Sequence, residues 1–204
     1  MKDELLKNIK KAFENKVDAV LSVCETEIEK IFLLKIINWA LNRPDRCIVS
    51  FIFEDTEIIK EDNYSITLSP RTNYYLPEGF GRLSGIRLES LIKSHYLEIY
   101  PQFEITFRDS GNLDNLINYR LDFAVHKFKS EVEKNINTTG KNPVTKYCIE
   151  CDGYEFHNSS NQIKKDNERD RILMFHQQYF TQRFLGTEIY NLDEKKIGAF
   201  LWNL

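Results

Sequence analysis

The chain is short of cysteine, has no long apolar run, and lacks a dominant charge. Four cysteines in 204 residues, with no secretory leader ahead of them, favour a reduced cytoplasmic protein over a disulfide framework. No stretch approaches about 18 consecutive apolar residues, so no segment is expected to span a membrane. The net charge is −3 and the isoelectric point about 5.9. Such a balance does not advertise nucleic-acid binding. It does not exclude it either, because acidic metal ligands can offset a local basic groove, and local distribution decides more than the sum. Internal repeats and low-complexity tracts are absent as well. What is present is 42% hydrophobic and 13% aromatic residues, ample for the core of one compact domain.

Two apolar, strand-like runs carry acids where a buried strand should not tolerate them. They are Tyr119-Arg120-Leu121-Asp122-Phe123-Ala124-Val125 and Lys146-Tyr147-Cys148-Ile149-Glu150-Cys151-Asp152-Gly153, the second followed by Tyr154-Glu155-Phe156-His157. An unpaired carboxylate in such a run costs several kcal/mol by order of magnitude, unless it is paired or holds a metal. Strand alternation places Cys148, Glu150 and Asp152 on one face, with Ile149, Cys151 and Gly153 on the other. On the first run Leu121, Phe123 and Val125 are expected to share the apolar face, leaving Asp122 and Ala124 opposite. If the strands are neighbours, one face is core and the other displays a carboxylate cluster. Oxygen donors of that kind suit Mg²⁺ or Mn²⁺. The competing reading is an edge sheet whose acids face solvent.

In order along the chain stand Asp122, Ile149-Glu150-Cys151-Asp152-Gly153, His157, Asp166-Asn167-Glu168-Arg169-Asp170 and Arg183-Phe184. This series resembles the PD-(D/E)xK nuclease superfamily, in particular the branch related to very-short-patch-repair endonucleases. The resemblance covers about residues 119–190, and more loosely Thr26-Glu27-Ile28-Glu29, which is similar to that family's acidic first-helix motif. It implies a restriction-endonuclease-like α/β fold with a central mixed sheet flanked by helices. It also implies a metal held by Asp122 and Glu150, with Asp152 and the carbonyl of Cys151 as further oxygens. His157 would be the general base or would orient the water. One departure stands out. The superfamily's usual lysine lies two residues after the glutamate, and here that residue is Asp152. Lys165, with Lys164, is the candidate replacement on the following helix; otherwise no lysine is used.

The helix expected over Asn161–Gln178 carries Ile163, Ile172, Leu173, Phe175 and His176 as inward candidates. Its charged first half has like-charge pairs at i,i+4, Asp166 with Asp170 and Lys165 with Arg169, which do not serve helix stability. Phosphate contact by Lys164, Lys165, Arg169 and Arg183 is the functional expectation, and a solvated helix face is the plain one. Cys148 and Cys151 imitate zinc spacing, but on a strand residues three apart point to opposite faces. Thr26 with Glu29 three residues on reads as a helix-start capping box, which competes with a role beside a metal.

The rest of the chain reads coarsely. Helices are expected over Asp3–Asn15 and Thr26–Leu41, broken by Arg43-Pro44-Asp45-Arg46. Cys47–Ile59 and Tyr64–Ser69 read as a hairpin turning at Lys60-Glu61-Asp62-Asn63. Arg71–Arg82 reads as a loop, whose Tyr74 and Tyr75 either stack on bases or pack the loop down. Leu97–Phe107 and Tyr179–Leu185 read as strands, Lys129–Pro143 as a loop near the site, and Asp193–Leu204 as a closing helix. The expected organisation is a single nuclease-like domain over 1–204. Within it lie a helical part (1–46), a β-rich elaboration (47–118) and a metal-site core (119–190). The expected activity is Mg²⁺- or Mn²⁺-dependent endonucleolytic hydrolysis of DNA, in restriction, repair or phage defence, with protein partners of such a system. The alternatives are an inactive nuclease-like binding or assembly subunit, and an RNA substrate.

Overall fold

The computed structural model describes residues 2–44, 46–53, 57–61, 64–70, 83–91, 95–109, 112–129, 143–153 and 160–203. The Arg71–Arg82 loop, His157 and nearly all of the Lys129–Pro143 segment lie outside the described residues.

The first helix, α1 (Lys2–Leu21), runs six residues past its expected end. No proline or glycine interrupts it, and Val17, Ala19 and Val20 are buried and carry it onto the core. Helix α2 (Glu27–Leu41) starts where Thr26 accepts a hydrogen bond from the Glu29 amide. Phe32, Leu33, Ile36, Ile37, Trp39 and Ala40 are all buried, so α2 is an inner helix rather than an amphipathic surface one.

Among the described residues, eight strands form one mixed sheet whose main path runs β1 (Cys47–Phe53), β4 (Leu83–Ser90), β5 (His95–Asp109), β6 (Asn112–Lys129), β7 (Thr145–Asp152), β8 (Tyr179–Leu185). The expected hairpin is borne out in its inner part and corrected in the first half of its first arm. Cys47–Phe53 pairs antiparallel with Leu83–Ser90, and it is β2 (Glu57–Glu61) that turns back on β3 (Tyr64–Pro70). Strand β5 is long enough to take β4 along Tyr96–Ile99 and β3 along Phe103–Thr106. Strands β5, β6 and β7 follow one another antiparallel. Helix α3 (Ser160–Gln177) then returns the chain so that β8 lies parallel to β7. A short helix α4 (Gly186–Tyr190), not read from the sequence, and α5 (Glu194–Asn203) complete the chain.

Both sheet faces are core. One packs Phe123, Val125, Ile149 and Cys151 against α1, α2 and α5. The other packs Leu121, Ala124 and Cys148 with Leu173 of α3 and Tyr179. Leu121 therefore does not share a face with Phe123 and Val125, contrary to strict alternation. The cause is local. Gln102 has a left-handed backbone (φ 50°), and the β5–β6 register passes from Pro101↔Phe123 to Phe103↔Leu121, skipping Gln102 and Asp122. On β5 the same break leaves Leu97 and Ile99 in the first core, with Tyr100, Phe103, Ile105 and Phe107 in the second. Asp122 stands at that switch.

Candidate metal centre

Pairing between β6 and β7 ends at Phe123↔Ile149. Beyond it, the Asp122 carboxylate takes over from the ladder and accepts the Cys151 amide at 2.7 Å. Burial pushes the Asp122 carboxyl up to about 7, helped by the negative charges of Glu150 and Glu29 and opposed by the Cys151 amide and Arg169. A carboxyl so placed is poised between its two protonation states near neutral pH.

Glu150 is 6% exposed, so the reading of acids facing solvent fails for it. The carboxylate lies 2.5 Å from an Arg169 Nη and accepts the Cys148 thiol at 3.0 Å. Asp152 lies 3.7 Å from Arg183, which also donates to Asp170 at 2.9 Å. Arg169 and Arg183 are thus both engaged with carboxylates of the site. The pieces of the expected motif, Asp122, Glu150, Asp152, Arg169, Asp170 and Arg183, converge on the C-terminal end of β7. Lys164 and Lys165 are exposed on α3.

Two further residues belong to this cluster. Glu29 is 3% exposed and accepts from the Glu25 amide at 2.9 Å, the Thr26 hydroxyl at 2.8 Å and Gln102 Nε2 at 2.7 Å. It caps α2, as the capping reading expects, and it also adds negative charge at Asp122. Gln102 is 1% exposed, and its Oε1 has no hydrogen-bond partner among the described residues. The sequence reading missed it. The run Leu97–Phe107 also carries Glu98, Glu104 and Thr106, so the sequence held no distinct signal for Gln102.

Cys148 and Cys151 cannot share one zinc ion. Cys148 and Cys151 sit in opposite cores, and burial pushes both thiols far above their ordinary range. The expected inward residues of α3 are corrected in part. Leu173 is buried and Ile172 packs beside it, but Ile163, Phe175 and His176 are exposed. The stripe turned to the sheet is instead Asp166, Arg169, Asp170, Leu173 and Gln177, spaced as one helix face. That face is polar because it meets carboxylates.

Among the described residues, no three His, Cys, Asp or Glu side chains converge closely enough to form a metal cage. Mg²⁺ does not require one, since it keeps several waters and binds through one or two carboxylates together with substrate phosphate. Asp122 and Glu150 supply hard oxygens, Gln102 adds an orphaned buried carbonyl, and the acids outnumber the guanidiniums. The donor set fits such an ion. No family model, curated protein or solved structure matches the chain.

Proposed function

We propose that this protein is a Mg²⁺-dependent endonuclease of the PD-(D/E)xK kind, hydrolysing DNA phosphodiester bonds. The observation that carries the reading is that buried Asp122 and Glu150 lie close enough for the charge of Glu150 to raise the Asp122 carboxyl, where β6 and β7 part, inside a cluster with more acids than arginines. The run of antiparallel β5, β6 and β7 followed by α3 and parallel β8 is compatible with the restriction-endonuclease-like architecture that the motif resemblance implies.

In this reading Asp122 and Glu150 hold the ion. Bound there, Mg²⁺ would supply a Lewis acid that neutralises charge developing on the phosphate. Asp122 must be ionised to bind it, and a carboxyl poised near 7 ionises readily when a cation arrives. The Cys151 amide fixes the orientation of Asp122, and Glu29 with Gln102 closes the α2 side of the cluster. Water oxygen attacks phosphorus, one P–O ester bond breaks, and the leaving oxygen takes a proton. His157 is the expected acceptor of the water's proton. Lys164 and Lys165 face solvent, where the DNA backbone would lie. The inactive-subunit reading is favoured by one observation, Asp152 tied to Arg183 where a lysine is usual.

The test offers supercoiled plasmid, single-stranded DNA and RNA to the full chain with Mg²⁺, Mn²⁺ or EDTA. Metal-dependent cutting of DNA is the expected result. Cutting of RNA alone would change the substrate. No cutting, with measurable nucleic-acid binding, would favour the inactive subunit.

A further inference from the structure

Arg169 is placed differently from Lys164, Lys165 and Arg183. Lys164 and Lys165, the sequence candidates for the missing lysine, point to solvent. Arg183 is divided between Asp152 and Asp170 and ties β7, β8 and α3 together. Arg169 instead reaches from the inward stripe of α3 to the Glu150 carboxylate, at 2.5 Å through one Nη. Its Nε is buried and has no hydrogen-bond partner among the described residues, and the Nη beside Glu150 makes a close ion pair without hydrogen-bond geometry. A guanidinium carries five donors in a rigid fork matched to carboxylate and phosphate. Here the contact to Glu150 is one-pronged, and donor capacity is left over inside the site. A single-point pair lacks the geometric lock of a bidentate one and exchanges partners more readily.

We infer that Arg169 is the built-in cation of this site. It neutralises Glu150 while no divalent ion is bound, releases that carboxylate when the ion arrives, and then turns its guanidinium to the scissile phosphate. The last step rests on the nuclease reading above, whereas the first two require only that Asp122 and Glu150 bind a divalent ion. No electron transfer or covalent step is involved. One positive charge leaves Glu150 as another takes its place, and the displaced one meets the negative charge of the substrate.

Competition gives the proposal a signature that a merely structural role would not produce. Removing the arginine charge should tighten metal binding, because the ion no longer displaces a cation, and should slow cleavage, because the phosphate loses a donor. A structural role would weaken both. The experiment titrates Mn²⁺ into wild type, Arg169→Gln and Arg169→Lys, followed by the spin resonance of free Mn²⁺. Cleavage of supercoiled plasmid at saturating Mn²⁺ is measured in parallel. Arg169→Gln should bind Mn²⁺ about tenfold more tightly and cut about 10²-fold more slowly. Arg169→Lys should lie between it and wild type on both measures, and carries the test if the glutamine variant fails to fold. Unchanged or weaker Mn²⁺ binding in the substituted proteins overturns the proposal, as does cutting at the wild-type rate. A wild type that binds Mn²⁺ and cuts nothing overturns the nuclease reading and the phosphate step. The affinity shift then decides the Glu150 step by itself. A wild type that binds no Mn²⁺ overturns both.

Discussion

Asp122 shows what a buried carboxylate costs at the scale of one residue. Its carboxyl is raised by burial and by the neighbouring acids to about 7, so the folded state holds a proton that the unfolded chain releases near 4. Stability from that proton is present in full below the unfolded value. It declines as pH rises and is lost by the time pH passes about 7. Asp122→Asn keeps an acceptor for the Cys151 amide and removes the titration. The metal-free melting temperature of that variant should therefore exceed wild type by several degrees at pH 8, and by less at pH 5. A gain equal at both pH values would place Asp122 in a solvated setting. Glu150 calls for a different substitution, because alanine there would strand the buried Arg169 guanidinium at a cost of about 3–5 kcal/mol. Glutamine retains a polar partner for it.

Helix α3 and the strands it crosses carry the lesson at the scale of elements. An apolar pattern assigns Ile163, Phe175 and His176 inward, yet they are exposed, and the stripe turned to the sheet adds half-buried Asp166, Arg169 and Asp170 to buried Leu173 and Gln177. Hydrophobic periodicity assumes that the inner face meets hydrocarbon, and that assumption fails where the facing strand ends in Glu150 and Asp152. The like-charge i,i+4 pairs were the legible warning. Leu173→Ala should cost about 2–5 kcal/mol, whereas Phe175→Ser should change stability by no more than about 0.5 kcal/mol; chemical denaturation of the two variants checks the pair. Across the same sheet, buried His126 of β6 meets the Tyr179 hydroxyl at the start of β8 at 2.6 Å, spanning β7 between them. Burial, with Lys146 nearby, pushes the His126 imidazole down to about 3. The neutral ring is the folded form, so its contribution is complete above about 6.5 and is lost as pH falls from there toward 3. His126→Gln should flatten the fall in melting temperature between pH 7 and pH 5, and an undiminished fall would assign the acid sensitivity elsewhere.

At the scale of the whole molecule, local signals were legible and long-range pairings were not. Thr26 marked the start of α2, the run Tyr179–Leu185 marked β8, and alternation placed Glu150 opposite Cys151. Nothing in Cys47–Phe53 named Leu83–Ser90 as its partner over the nearer β3, because strand pairing across thirty residues is chosen by the shared core rather than by a turn. The face switch at Gln102 was equally invisible, since alternation carries no trace of a left-handed residue that glycine does not announce. Within the site, the acids were found from their cost in apolar strands. Gln102 and the inward reach of Arg169 emerged only when α2, β5 and α3 were brought to the same strand end. No helix among the described residues is long and apolar enough to cross a membrane. The proposed activity depends above all on Asp122 and Glu150 forming a divalent-metal centre for phosphodiester hydrolysis. Its most direct test is the nicking of supercoiled plasmid by wild type and Glu150→Gln, each with Mg²⁺ and with EDTA, after both proteins are shown to melt cooperatively. Cutting by wild type that vanishes with EDTA and with the substitution is the predicted result, and cutting by folded Glu150→Gln at the wild-type rate would contradict it.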